Sequence, residues 1–126
     1  MLQVATFLGR SAIHGTGCFA ARAIAEGTLV WCRSPEVDST YACVEQMTHW
    51  ERTHAYRSHQ HHNRWILPRD NAAWINFATT PNLVELAFAD PDAEPALIAR
   101  TRISPGQELT VGSETDADAQ WKLSLP

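Results

Sequence analysis

Gly15 and Gly17 stand on either side of Thr16, directly after His14 and directly before Cys18 and Phe19. Glycines at neighbouring turn positions permit positive φ and let a ligand come close to the backbone. The chemistry on offer there is that of main-chain N–H and C=O groups. Much further along, Asn76 precedes Phe77. An asparagine amide both donates and accepts, so Asn76 suits either a polar ligand or the bridging of loops. Tyr41 and Tyr56 are the two tyrosines of the chain. A tyrosine hydroxyl can position an amine, and its ring can equally serve as core. His59, His61 and His62 share one polar stretch, with His49 and His54 upstream. Imidazoles this dense suit zinc, nickel or copper. No spacing among them matches a zinc motif and no cysteine lies close by, so we expect no metal and read the stretch as a solvated loop.

Composition narrows the setting for this chemistry. A length of 126 residues fits one compact domain spanning residues 1–126, and 44% hydrophobic content supplies a core without disulfides. The formal charge of −4 and a single lysine, Lys122, argue against nucleic acid as a direct partner. An acidic surface tolerates a basic peptide. Cys18, Cys32 and Cys43 form no Cys-x-x-Cys pair, which suggests free thiols in a reducing compartment, and we expect a cytoplasmic protein. No apolar run is long enough to span a bilayer and no secretory signal is visible.

The elements that must position these residues are mostly short strands. Strands are expected at Gln3 to Leu8, Cys18 to Ala20, Thr28 to Cys32 and Arg64 to Leu67, with Glu26-Gly27 as a turn. Val84, Leu86 and Phe88 alternate with Glu85 and Ala87, which predicts a half-buried strand. Further strands are expected at Leu97 to Thr101 and Glu108 to Val111. One helix is predicted from Tyr41 to about Tyr56, because Cys43, Met47, Trp50 and His54 fall on one helical stripe behind the N-cap oxygens of Asp38, Ser39 and Thr40. The fold class is therefore mainly β with one main helix, an α+β arrangement of several small sheets.

Three ordered blocks carry a family resemblance. They are His14-Gly15-Thr16-Gly17-Cys18-Phe19-Ala20 with Ile24 and Gly27, then Trp74-Ile75-Asn76-Phe77-Ala78 closing with Pro81-Asn82, then Gly106-Gln107-Glu108-Leu109-Thr110 preceded by Ala99 and Ile103. From about Gln3 to about Val111 the chain resembles the SET domain, the fold of many protein-lysine methyltransferases. The resemblance implies small sheets with a C-terminal pseudoknot, S-adenosylmethionine as cofactor and a lysine-containing protein or peptide as substrate. It implies that the loop of His14, Gly15, Thr16, Gly17 and Cys18, with Phe19 packed beneath, holds the cofactor together with Asn76 and Phe77. It places Tyr56 at the lysine channel and Trp121 over the cofactor adenine. Tyr56 as a core ring and Trp121 as an anchor for the tail are the alternatives.

Two positions depart from the family pattern. The family's Asn-His-Ser reads Asn76-Phe77-Ala78 here, and the catalytic tyrosine position falls on Ser113, three residues after Thr110. A serine hydroxyl stops several ångströms short of a tyrosine hydroxyl and offers no aromatic face. The expected function is a methyltransferase with an altered active site, Tyr56 and Ser113 being its candidate catalytic residues. The alternative is a scaffold that binds cofactor or peptide without chemistry. A homodimer that completes the groove is a further expectation, with Trp31 or Trp65 as candidate surface.

Overall fold

The computed structural model describes residues 1–58, 64–90 and 93–112. Among the described residues, ten short strands form four small sheets. Strand β1 (Thr6–Arg10) pairs antiparallel with β2 (Thr16–Ala20), Leu8 lying opposite Cys18. Strands β3 (Leu29–Trp31), β9 (Ala96–Ala99) and β8 (Leu83–Leu86) make an antiparallel sheet in the order β3-β9-β8. A second antiparallel sheet runs β4-β6-β5 through Ser39–Tyr41, Trp65–Leu67 and Tyr56–Arg57. Strand β7 (Asn76–Phe77) pairs parallel with β10 (Thr110–Val111). The expected class, mainly β in several small sheets with one main helix, holds for the sheets, while the helix is much shorter than expected.

Among the described residues, two apolar clusters hold the sheets. Cys18, Ala20, Val30, Leu83, Ile103 and Leu109 belong to the larger, which joins the β1-β2 hairpin to the β3-β9-β8 sheet and the segment before β10. Val44, Met47, Ala55, Trp65 and Leu67 form the smaller one under the β4-β6-β5 sheet. The turn at Gly27 sits at φ 82°, where a side chain would be strained, and it returns the chain from Ile24 into β3. Among the described residues, no helix is long and apolar enough to cross a membrane.

The predicted long helix does not form. Tyr41 ends β4, Val44–Gln46 make one 3₁₀ turn, and the α-helix α1 covers only His49–His54. Met47 is extended at φ −102° and ψ 146°, which interrupts the run. Thr48 then restarts it with a capping box, its side chain accepting from Glu51 N while Glu51 accepts from Thr48 N at 2.9 Å. Asp38 does not cap a helix and instead accepts from Ser34 N at 2.9 Å. Periodicity marked residues with a common face, but the cap fixed where the helix begins.

Two burial expectations also need correction. Val84, Leu86 and Phe88 are exposed, and Leu83 is the member of β8 in the core. Trp31 and Trp65 are buried and cannot form a dimer surface. A register irregularity between Leu29 and Trp31 lets both Val30 and Trp31 turn inward.

Glu51 also closes a polar cluster. Its carboxylate accepts from Arg69 Nη2 at 2.8 Å and from the Tyr41 hydroxyl. The Tyr41 bond, with the Thr48 backbone next, lowers the Glu51 pKa from 4.5 to about 2. A depressed carboxylate stabilises the fold fully above its unfolded pKa, and that contribution is lost as pH falls through the folded value. Urea unfolding of the wild type is therefore expected to show stability declining from about pH 4.5 towards pH 2, and Glu51→Gln to flatten that part of the profile.

Candidate functional site

The β1-β2 hairpin turn is built by Ser11. Its backbone N–H donates to Gly15 O at 2.8 Å, and its Oγ accepts from Ile13 N at 2.9 Å and His14 N at 3.1 Å. Gly15 adopts φ 46°, a conformation that disfavours a side chain, and the space a Cβ would enter is open. The Ser11 hydroxyl has one proton to give, and Glu108 takes it, with Oε1 at 2.8 Å and Oε2 at 2.9 Å. The turn is thus pinned by a residue far along the chain.

Asn76 completes the junction. Its Nδ2 lies 3.0 Å from His14 O, 3.2 Å from Thr16 O, 2.9 Å from Glu108 Oε2 and 3.1 Å from Ser11 Oγ. An amide nitrogen carries two protons, so these four acceptors share them. The backbone supports the same meeting, since Leu109 N donates to Cys18 O at 2.8 Å and Ala78 N to Val111 O at 2.9 Å. Because successive residues of a strand address opposite edges, the N–H and C=O of Phe77 point away from β10. The Phe77 side chain is exposed.

Gly17 is where Glu108 comes closest to the loop. A Cβ there would stand 2.5 Å from Glu108 Oε2, 2.8 Å from Glu108 Cδ and 3.1 Å from Ser11 Cβ. Glu108 cannot simply swing away without leaving Ser11 and Asn76. Gly17→Ala is expected to destabilise the fold by about 1–3 kcal/mol, the usual cost of overpacking, as read by urea unfolding of the variant beside the wild type.

The neighbouring loop residues have other tasks. Cys18 is wholly buried, and burial pushes its thiol up to about 11, so it remains protonated and contributes only its main chain. Phe19 stacks on Phe7 with ring centroids 5.4 Å apart.

Tyr56 lies on β5, in a different sheet from Asn76. Its ring meets Trp31 edge-on at 6.2 Å. Burial raises its hydroxyl pKa well above the usual range, and the nearby charges of Glu94 and Asp38 add to this, so the group stays neutral. A link between the two regions is supplied by an aromatic cluster that sequence reasoning did not single out. The His54 ring stacks on Trp50 at 4.2 Å and meets Trp74 at 4.7 Å. His54 precedes Tyr56 by two residues and Trp74 precedes Asn76 by two. The contact between His54 and Trp74 therefore braces the segment entering β5 against the segment entering β7. Ser11 and the Glu108 carboxylate were likewise missed as partners. Ser113, Trp121, His59, His61 and His62 lie outside the described residues.

The SET-domain family model matches residues 15–112, from the glycine turn through Glu108 to the end of β10. The chain belongs to the SET-domain family. Solved structures agree on the fold. A Plasmodium falciparum protein described as a histone methyltransferase is similar over 91% of this chain and 97% of its own, at 17% identity and a TM-score of 0.65. A humanized mutant of the Chaetomium thermophilum Polycomb Repressive Complex 2, bound to the inhibitor GSK126, is similar over 86% of this SET chain at 22% identity and a TM-score of 0.67. An autoinhibited form of that complex bound to S-adenosylmethionine matches at 19% identity and a TM-score of 0.63. This SET chain spans 15% of each of the two Polycomb chains.

Proposed function

We propose that this SET-domain protein is an S-adenosylmethionine-dependent protein-lysine N-methyltransferase with an altered active site. The observation that carries the reading is the junction of the glycine turn, Asn76 and Glu108, which is acceptor-rich and leaves main-chain groups open. The cofactor fits this set of acceptors. Asn76 Oδ1, the second lone pairs of His14 O and Thr16 O and the Glu108 carboxylate suit an ammonium group and a nearby sulfonium charge. The outward N–H and C=O of Phe77 suit an adenine edge. When bound, S-adenosylmethionine supplies an electrophilic methyl group on a positively charged sulfur.

The remaining work belongs to the chain. The attacking lysine must be neutral, although its ordinary pKa is near 10.4, and it must be aligned with the methyl group. Tyr56, held neutral by burial, presents a hydroxyl that can accept from or donate to that amine. Trp121 would cover the adenine, and Ser113 would stand where the family has its tyrosine. The parallel pairing of β10 with β7 supports a C-terminal pseudoknot around the site. The substrate is a lysine-containing protein or peptide.

Ser113 and the exposed Phe77 favour a second reading, in which the scaffold binds cofactor or peptide without turnover. Calorimetric titration of the untagged protein with S-adenosylhomocysteine tests the shared premise, and micromolar affinity is expected. Transfer of labelled methyl from S-adenosylmethionine to lysine-containing proteins then separates the readings. Binding without transfer would leave the scaffold reading standing.

A further inference from the structure

A small cavity opens on the face of the β4-β6-β5 sheet that carries Tyr56. Arg33, Thr40, Ser58, Arg64, Ile66 and Glu94 line it, and its volume is about 50 Å³. Thr40 and Ile66 belong to β4 and β6, Arg33 follows β3, and Glu94 precedes β9. Thr40 and Tyr56 both stand opposite Ile66, one in each neighbouring strand. Directly opposed residues share a face, so Thr40, Ile66 and Tyr56 form one row across the sheet. Glu94 and Arg33 are also close enough for their charges to act on the Tyr56 hydroxyl.

The lining is polar and carries donors in excess. Arg33 Nη2 donates to Thr40 Oγ1 at 3.0 Å, whereas Arg33 Nε is buried and has no hydrogen-bond partner. A buried donor on a cation is costly without an acceptor, and an occupant that accepts would relieve it. The Ser58 hydroxyl donates to Glu94 Oε1, so its proton is already given. Arg64 is exposed.

Size and charge define what fits. The volume admits about three waters, which is room for a carboxylate. Two guanidinium groups against the one carboxylate of Glu94 leave a single positive charge in excess. A second carboxylate balances it, and a phosphate dianion would overshoot it. Arginine also matches a planar carboxylate with paired N–H donors. Neighbouring strands lie about 4.8 Å apart, so Thr40 is about 10 Å from Tyr56, a span that an extended peptide covers in about three residues.

We propose that this cavity takes the side-chain carboxylate of an aspartate or glutamate two or three residues from the target lysine, so that the protein selects lysines with an acidic neighbour. Arg33 and Arg64 hold the carboxylate, and Thr40 fixes the Arg33 guanidinium. The inference rests on the proposed function, in which Tyr56 lines the lysine channel.

Fluorescence anisotropy of the untagged full chain, with S-adenosylhomocysteine present, tests this. The probes are labelled peptides with one lysine in an alanine and serine background. One glutamate is moved through the three positions on either side of the lysine, and each peptide has a glutamine twin. At a position two or three residues from the lysine, the glutamate peptide is expected to bind about tenfold tighter than its twin. Arg64→Gln is expected to bring that ratio close to one, and so is Arg33→Gln. Arg102→Gln, at an exposed arginine outside the lining, is the control and is expected to keep the ratio. Equal affinities at every position, binding of no peptide, or a preference that survives Arg64→Gln would overturn the proposal. So would its loss in Arg102→Gln, or tighter binding of a peptide with phosphoserine or lysine in place of the glutamate. The methyl-transfer assay separates this inference from the reading beneath it. A glutamate preference without transfer keeps the cavity and leaves the scaffold reading, whereas transfer without the preference removes the cavity alone.

Discussion

Tyr56→Phe is expected to lower methyl transfer about 100-fold while leaving S-adenosylhomocysteine affinity unchanged. The ring of Tyr56 rests edge-on against Trp31 at 6.2 Å, a contact that phenylalanine keeps. The substitution therefore isolates the hydroxyl. Because burial and the neighbouring carboxylates keep that hydroxyl neutral, it would, in the proposed function, hold a neutral amine by hydrogen bonding without adding a charge beside it. An effect of about 100-fold corresponds to roughly 2.7 kcal/mol in the transition state. Single-turnover transfer of labelled methyl, with calorimetric titration alongside, reads both quantities. Unchanged transfer by a folded Tyr56→Phe protein would assign the residue to the core alone.

The largest loss of stability is expected from Asn82→Ala, about 2–4 kcal/mol. Asn82 is buried at the start of β8 and binds β10 as well as the residue that pins the glycine turn. Its Oδ1 accepts from Thr110 N at 2.9 Å, and its Nδ2 donates to Glu108 O at 2.8 Å. Alanine would strand a buried N–H and a carbonyl together. Each such group costs about 1–3 kcal/mol when left without a partner. Asn82→Asp keeps the bond from Thr110 N but turns a carboxylate oxygen towards Glu108 O, so it is also expected to destabilise. Urea unfolding of the two variants beside the wild type measures the losses. A change below about 0.5 kcal/mol for Asn82→Ala, the range of ordinary surface substitutions, would show that the pairing of β10 does not depend on this side chain.

Local sequence carried the strands better than it carried the helix or the burial of faces. Cys18 to Ala20, Thr28 to Cys32 and Arg64 to Leu67 are short apolar runs between turn residues, and β2, β3 and β6 fall on them. The stripe from Cys43 to His54 misled because a period of 3.6 residues is silent about a break at Met47 and a new cap at Thr48. Alternation in Val84, Leu86 and Phe88 identified a common face but not which face meets the core, since a one-residue change of register exchanges the two. Leu83 took the core position. At the site, the glycine turn and Asn76 were visible as residues that suit a ligand. The bonds of Ser11 to Glu108 and of Asn82 to Thr110 cross 97 and 28 residues. No local pattern encodes such pairings. The role of Glu108 emerged only when folding brought it behind Gly17.

The 97-residue separation of Ser11 and Glu108 also sets an order of events on the ribosome. Synthesis at about 5–20 residues per second separates the two by roughly 5–20 seconds. Throughout that interval the nascent glycine turn lacks the carboxylate that takes the Ser11 proton and shares Asn76. The glycine turn, although synthesised early, is therefore completed only after Glu108 has been added. A ribosome-bound chain halted before Glu108 would carry the β1-β2 hairpin without a finished turn.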